Sequence, residues 1–511
     1  MRHCHEADPP TVPGSRYHRS MTDVPTQLVI GGELRDAASG ATFPTFDPAH
    51  GGELATVAKA GSDDVDAAVV AARSAFEGAW AKTSPAKRAR ALNKLAQLLD
   101  EQTDALAELE SRNNGKAKWQ CAAEIKVAAA TLELFAGTAQ HLYGRSHVVN
   151  PAVVTYTLKE PVGVVGAIIP WNYPLMMAAW KVAPALATGN TVVLKPATAT
   201  PLTAIRLGEL ALEAGIPAGV LNVVTGPGAE VGEAIAAHPG IDKIAFTGET
   251  STGRRIAETA AKTLKRVSLE LGGKSPSIVF ADADLDAAVI GSLWAIYYSA
   301  GQSCEARSRI IVQDAVYDAF ASAFAEKTRA LSVGDPLAED TKVGSLISRS
   351  HADKVRGFVE MGLADGGELL AGGDLSLEGG LDANAFVAPT VIGGVSNDAR
   401  IAQEEVFGPV VTLTRFADEA EAVAFANDVR YGLAATVWTA DGARGHRVAQ
   451  HIRSGAIGIN TPFVAFPGVP FGGFKESGYG REQSLEALDL YTETKAILQG
   501  TSPKPVNPFG V

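Results

Sequence analysis

The spacing of apolar residues changes along this chain. Residues 28–60 carry short apolar runs broken by glycine and proline, which predicts strands and turns. Over 63–79, 85–113 and 118–142 the apolar positions recur every three or four residues, the mark of amphipathic helices. Ser84-Pro85 is a start signal for the second of these. From residue 153 the texture becomes an alternation. "YTLKEP" and "VGVVGAIIP" read as strands, "LMMAAWKVAPALATG" as a helix ending at Gly189, and "TVVLKP" as a buried strand. "PLTAIRLGELALEAG", "AEVGEAIAAHP" and "STGRRIAETAAK" read as helices, separated by the strands "GVLNVVTG" and "KIAFTG" and followed by "RVSLELGG". Short strands alternating with helices predict βαβ units and a parallel sheet, an α/β fold. A second α/β unit runs from about 275 to 455, and a helix over 284–299 leads the chain to Cys304.

Open parallel sheets bind ligands beyond the carboxyl ends of their strands. Lys195, Gly226, Gly248 and Glu270 all fall at such ends. Packing alone does not explain polar or glycine residues at four corresponding places.

A chain of 511 residues is too long for one ordinary core, so two or three domains are expected. Hydrophobic residues at 46% and charged residues at 20% describe a globular chain, and the apolar runs stop well short of the roughly 18 residues of a membrane span. A net charge of −12 argues against nucleic acid or an anionic membrane as partner. Cys4, Cys121 and Cys304 cannot build a disulfide framework, which points to a reducing cytoplasm. His3, Cys4 and His5 are metal-ligating types, but no second ligand pair follows, so no metal site is expected. Residues 1–24 read as a disordered extension, with Met21 as an alternative start.

Three residues carry candidate chemistry. Cys304, in "GQSC", follows a helix end among small polar residues; it is either a small buried hydrophobe or a nucleophile. Glu270 is an acid in an apolar strand, which needs either an ion-pair partner or a role as a general base raised by desolvation. Asn172, in the proline-bounded turn "IPWNYP", is either an Asx turn or an amide placed to donate to an oxyanion. Two glycine-rich strand-to-helix joints, "TGPGAEVG" and "FTGETSTG", suit a nucleotide together better than either does alone.

The motifs "IPWNYP", "VVLKPA", "FTGETSTG", "LELGGKSP", "GQSC", "EEVFGPV" and "PFGGFKESGYGRE" stand in the order found in the aldehyde dehydrogenase superfamily, which the chain resembles from about residue 27 to 498. The resemblance implies a Rossmann-like dinucleotide-binding domain over 25–143 and 161–271, an α/β catalytic domain over 272–475, and small β oligomerisation elements at 144–160 and 476–500. It implies NAD(P)-dependent oxidation of an aldehyde to an acid, hydrolytic rather than CoA-acylating. Cys304 would be the nucleophile, Asn172 and the Cys304 N–H the oxyanion donors, and Glu270 the base that frees the thioester. Lys195 would lie on the adenosine ribose, the loop from Gly248 to Gly253 near the pyrophosphate, Glu405 on the nicotinamide ribose, and Phe407 beside the ring. Trp171, Thr198, Gly228, Glu249 and Leu271 complete the implied cofactor set. The resemblance also implies a homodimer or homotetramer, in which 144–160 pairs with the partner and "DLYTETKAIL" joins an intersubunit sheet.

Three positions depart from the family pattern. Thr198 stands where many NAD-preferring members carry a glutamate, which leaves Lys195 free for NADP; the expected cofactor is NAD or NADP, with NAD slightly favoured. Glu249 replaces a serine beside the phosphates, where a carboxylate repels unless it turns outward. Arg307 stands where glycine is common. The implied aldehyde tunnel is lined by Tyr173, Met177, Trp180, Tyr298 and Phe471, although by spacing alone the first three equally fit a core. Such a lining suits an apolar or aromatic aldehyde. The expected activity is broad or directed to apolar and aromatic aldehydes. The alternative is a betaine-aldehyde or aminoaldehyde dehydrogenase, since the lining also suits a cation–π cage, although Phe471 departs from the tryptophan often present in betaine-aldehyde dehydrogenases. A CoA-acylating relative typically lacks the base glutamate, and a non-catalytic protein on this fold is expected to lose Cys304, Glu270 or Asn172; all three are present.

Overall fold

The computed structural model describes residues 25–501 and 508–510. The expected extension at 1–24, with His3, Cys4, His5 and Met21, lies outside the described residues. Two large sheets organise the chain. The first contains five parallel strands in the spatial order Leu221–Val223, Thr191–Lys195, Val164–Ile168, Lys243–Thr247 and Arg266–Glu270. Antiparallel edges are added by Leu28–Ile30 and Glu33–Arg35 on one side and by Gly478–Tyr479 on the other. The central strands are buried throughout, as continuous apolar runs covered by helices on both faces must be.

After the edge strands at 28–35, the parallel part of this sheet begins at Val164–Ile168, builds outward through 191–195 to 221–223, then crosses to 243–247 on the opposite side. The direction of winding therefore reverses at 164–168. A crevice opens at the carboxyl end of the strand where that happens, and this strand runs straight into Pro170, Trp171 and Asn172.

The second sheet is parallel in the order Thr390–Gly393, Val410–Phe416, Arg309–Gln313, Pro276–Val279, Ala434–Trp438 and Ala456–Ile459, with an antiparallel edge at Glu368–Ala371. Cys304 precedes Arg309–Gln313 and Glu405 precedes Val410–Phe416. The amino-terminal side of the second sheet thus faces the carboxyl-terminal side of the first.

The helices agree with the apolar spacing, with some adjustments; the helix expected over 284–299 ends at Tyr297, since Ser299 turns left-handed. The single helix expected over 85–113 is two, Pro85–Glu101 and Thr103–Asn114, broken where Gln102 leaves helical geometry; both pack against Lys118–Thr138, which ends before the expected 142. The start of the helix expected at 229–239 is a π-helical turn, Gly228–Gly232, continuing as Glu233–Ala237. A third, small sheet joins Thr492–Gly500, Val153–Pro161 and Ser146–Asn150. The C-terminal strand therefore pairs along its length with 153–161 of its own chain, and this pairing does not need a second copy.

Candidate active site

Helix Leu285–Tyr297 starts at an Asp284 cap that accepts from the Ala287 N–H, and ends before an abrupt reversal. Ser299, Ala300 and Gly301 are all left-handed, at φ 55°, 52° and 71°. Two non-glycine residues in that region cost about 1 kcal/mol each or more. The Gln120 side chain holds the turn by accepting from the Ser299 N–H at 3.2 Å. The reversal delivers Gln302, Ser303 and Cys304 to the mouth of the crevice. A Cβ on Gly301 would overlap the Gly408 carbonyl, and one on Gly273 would overlap the Cys304 carbonyl. The cysteine loop is thus wedged between two other backbones where only glycine fits.

Cys304 is half-buried and lines a cleft of about 490 Å³ with Trp171, Asn172, Gly248, Glu405 and Phe407. Burial, then the Glu405 and Glu270 carboxylates, push its thiol up from the ordinary range. Asn172 is buried, and its Nδ2 donates to the Gln302 carbonyl at 2.8 Å. A side-chain amide has two N–H groups, so one remains for a group in the cleft.

Glu270 ends the strand Arg266–Glu270, is 5% exposed, and has no hydrogen-bond partner on either carboxylate oxygen. Its surroundings are the buried pair Lys181–Glu482 at 2.7 Å, Arg481, and Gly472, on which a Cβ would lie 2.7 Å from Glu270 Oε1. Desolvation and the Glu482 charge raise its pKa well above the usual carboxylate range, only partly offset by Lys181 and Arg481. A desolvated, unpartnered carboxylate of this kind holds a proton to higher pH than an ordinary carboxylate does. It stands behind the cysteine loop rather than on the cleft wall.

The cleft fits a nicotinamide dinucleotide on three observations. The N-terminus of helix Thr250–Ala261 opens into it beside Gly248, Glu249 and Thr250, which favours an anion. The Thr247 hydroxyl at the strand end is buried without a partner. Trp171 and Phe407 form an edge-to-face aromatic corner with centroids 5.3 Å apart. Glu405 accepts from the Gly273 N–H at 2.9 Å, and burial pushes its carboxyl up to about 7. Glu249 is exposed, accepts from the Ser251 hydroxyl at 2.8 Å, and shares the cleft with Arg254, which pairs with Glu476.

Of the remaining expected cofactor residues, Leu271 lines the cleft, whereas Lys195, Thr198, Gly228 and Gly253 do not. Lys195 is buried, donates to the Pro196 carbonyl at 2.8 Å, and is lowered by desolvation to about 8; Thr198 donates to the Gly226 carbonyl. Gly228 is exposed on the π-helical turn, and Gly253 packs on Leu271. Of the expected tunnel, Tyr173 and Met177 line the cleft; Trp180, Tyr298 and Phe471 lie behind it, in or against the same apolar cluster as Cys304. Trp180 and Phe471 meet edge-to-face at 5.4 Å. Arg307 is buried, pairs with the Glu305 side chain and donates to its carbonyl at 2.9 Å, and burial lowers it to about 9. No partner in the structure accounts for its buried Nε.

Sequence reading missed His351, whose Nε2 donates to the Phe407 carbonyl at 2.7 Å beside Trp171. No local pattern marks it. It also missed Lys181, although a lysine inside the apolar run "LMMAAWKVAPALA" was a legible signal. Trp119 and Trp294, which extend Tyr298 toward the surface at centroid distances of 5.9 and 5.0 Å, were missed as well.

The profile of the aldehyde dehydrogenase family matches residues 34–497. Aldehyde dehydrogenases of Emericella nidulans and Aspergillus niger are each 44% identical over 93% of this chain and 95% of their own lengths. An NAD+ complex of an aldehyde dehydrogenase from Bacillus cereus superposes with a TM-score of 0.91 at 42% identity, covering 93% of this chain and 97% of that one. A betaine aldehyde dehydrogenase from Staphylococcus aureus in complex with NAD+ superposes with a TM-score of 0.93 at 38% identity, covering 96% and 100%.

Proposed function

Because this chain belongs to the aldehyde dehydrogenase family, we propose that it oxidises apolar and aromatic aldehydes to carboxylic acids through an acyl group carried on Cys304. It is an aldehyde dehydrogenase that uses NAD(P). The observation that supports the finer reading is a half-buried thiol and an amide with a free N–H on one crevice wall, with a desolvated carboxylate behind the cysteine loop, near enough for its charge to bear on the thiol.

In this reading Cys304 gives up its proton to solvent water and its sulfur bonds to the aldehyde carbon, whose carbonyl π electrons move onto oxygen. The free Asn172 N–H and the Cys304 backbone N–H receive the charge that develops on oxygen. Bound NAD(P) supplies the acceptor for the hydride, and Trp171, Glu405, Phe407 and the start of helix Thr250–Ala261 are the residues that would hold it. The thioester left on Cys304 is then cleaved by water, whose proton passes to Glu270; the carbon–sulfur bond breaks and the acid leaves. Thr198, at the end of the strand carrying Lys195, adds no negative charge against a 2′-phosphate, so both NAD and NADP are accommodated.

The apolar cluster of Tyr173, Met177, Trp180 and Phe471 around the thiol supports apolar and aromatic substrates. The quaternary-ammonium alternative is favoured by the likeness to the S. aureus enzyme. Against it, the Tyr173 ring already has a cation, the Lys116 ammonium 4.3 Å from its centroid. Open edge strands at Ser146–Asn150 and Thr492–Gly500 suit pairing with further copies, as a homodimer or homotetramer. A cytoplasmic setting suits the free thiols Cys121 and Cys304; among the described residues no helix is long and apolar enough to cross a membrane.

The test is formation of reduced nicotinamide with propanal, benzaldehyde, betaine aldehyde and succinic semialdehyde, with NAD and NADP, with and without CoA. Turnover of benzaldehyde and propanal without CoA is expected. A requirement for CoA, or turnover of betaine aldehyde alone, overturns the reading.

A further inference from the structure

The segment Trp171–Leu175 follows Pro170 and contains Pro174, neither of which donates a backbone hydrogen bond. Three polar side chains from a single stretch, residues 110–116, hold it instead. Asn114 Nδ2 donates to the Trp171 carbonyl at 2.6 Å, Lys116 Nζ donates to the Asn172 carbonyl at 2.6 Å, and Glu110 accepts from the Leu175 N–H at 3.1 Å. Lys116 is the cationic member and is fully buried at its side chain. Its ammonium contacts Glu124 at 2.5 Å and stands 4.3 Å from the Tyr173 ring centroid. A buried ammonium needs a counter-ion, and Glu124 supplies it. The other two contacts serve no charge balance; both are made to consecutive residues of the turn that presents the amide.

We propose that Lys116 is a positioning residue for the Asn172 side chain, its ammonium tying the turn at 171–173 to helix Lys118–Thr138 so that the free Asn172 N–H points at the oxygen of the reacting carbonyl. This rests on the reading of Asn172 as the oxyanion donor. The geometry needs a cation with several donors: one hydrogen goes to Glu124, one to the Asn172 carbonyl, and the charge faces the ring. Methionine has similar bulk and none of these. Without the tie the amide keeps its bond to the Gln302 carbonyl, but the backbone that carries it is released.

The test is a double-mutant cycle on the whole enzyme with benzaldehyde and NAD. Losing one oxyanion donor lowers kcat by about 10²- to 10³-fold, which is the effect expected of Asn172→Ala. Lys116→Met is expected to lower kcat about 10- to 100-fold with little change in the KM for NAD, since a displacement near 1 Å costs about 10²-fold. In the Asn172→Ala background the same change is expected to cost less than about twofold, because residues acting as a unit are not additive. The rate of Cys304 alkylation by iodoacetamide, a reaction that forms no oxyanion, should stay within about twofold of wild type on the same reasoning. If Lys116→Met fails to fold, Lys116→Met/Glu124→Gln removes both charges and takes its place in the cycle. Additive losses, or alkylation that falls along with turnover, overturn the proposal while leaving Asn172 as donor. An Asn172→Ala enzyme with undiminished kcat instead overturns the reading of Asn172, and the proposal with it.

Discussion

Replacing Glu270 by glutamine keeps the side chain's shape and removes its ability to take a proton. The site tolerates the shape: the carboxylate stands against Gly472 with neither oxygen hydrogen-bonded. What is lost is a base that burial and the neighbouring Glu482 charge have raised well above the ordinary carboxylate range. General-base assistance is worth about 10²- to 10⁴-fold, or about 2.7 to 5.4 kcal/mol of barrier. The loss should fall on one step, hydrolysis of the acyl group. Rapid mixing with benzaldehyde and NAD should therefore still give a burst of reduced nicotinamide near one equivalent per site, followed by a linear phase slowed by that factor. The base acts only when ionised, so wild-type hydrolysis should climb with pH through the raised pKa, and the Gln variant should lack that rise. A second readout comes from stability. With the folded pKa raised, the protonated group's contribution is fully present below the unfolded carboxyl pKa and is lost as pH rises through the folded one. The variant should lose that downward slope, gaining stability relative to wild type as pH rises from the ordinary carboxyl pKa toward the raised one. A linear phase at the wild-type rate, or a burst that shrinks by the same factor as the linear phase, refutes the assignment.

Gly273→Ala drives a Cβ into the Cys304 carbonyl, so kcat/KM should fall about 10²-fold, the cost of shifting a nucleophile by near 1 Å, while far-ultraviolet circular dichroism is retained; near-normal activity would show the loop has slack. The Cys304 thiol is raised by burial and by Glu405, so its alkylation rate should still be climbing above pH 9, past the ordinary thiol value of about 8.5, and Glu405→Gln should speed alkylation at pH 8. A plateau at or below pH 8.5 would refute this account of the thiol. Thr198→Glu should lower kcat/KM for NADP at least about tenfold relative to NAD, about 1.4 kcal/mol of added repulsion. An unchanged ratio would show that this position does not face the 2′-phosphate.

The strands were the most legible feature. In "VGVVGAIIP", "TVVLKP" and "KIAFTG" the strands Val164–Ile168, Thr191–Lys195 and Lys243–Thr247 are buried at every residue, and an apolar run that short, closed by glycine or proline, has few other ways to satisfy its backbone. Helix ends were less so. Nothing local marks the break at Gln102, because both halves rest on the same helix, Lys118–Thr138, and tertiary packing sets the angle between them. The cysteine turn was misread in detail for a similar reason. Residues 298–301 continue a helical composition, yet Ser299 and Ala300 are left-handed because Gln120 and the Gly408 backbone, far away in sequence, require it.

Cys304, Glu270 and Asn172 stood out because each is a chemically exceptional residue type in its local setting: a polar-flanked thiol, an acid in an apolar strand, an amide between prolines. That much depends only on neighbours along the chain, and so does the βαβ alternation that makes a crevice at the strand ends. Their partners are another matter. Lys181 and Glu482, and His351 and the Phe407 carbonyl, are joined across long sequence separations, and even Lys116 and Glu124, eight residues apart, owe their pairing to burial that the fold provides. Spacing along the chain reports neither the pairing nor the burial. Electrostatic energy follows distance in space and the water excluded around a group, and only the folded chain supplies those.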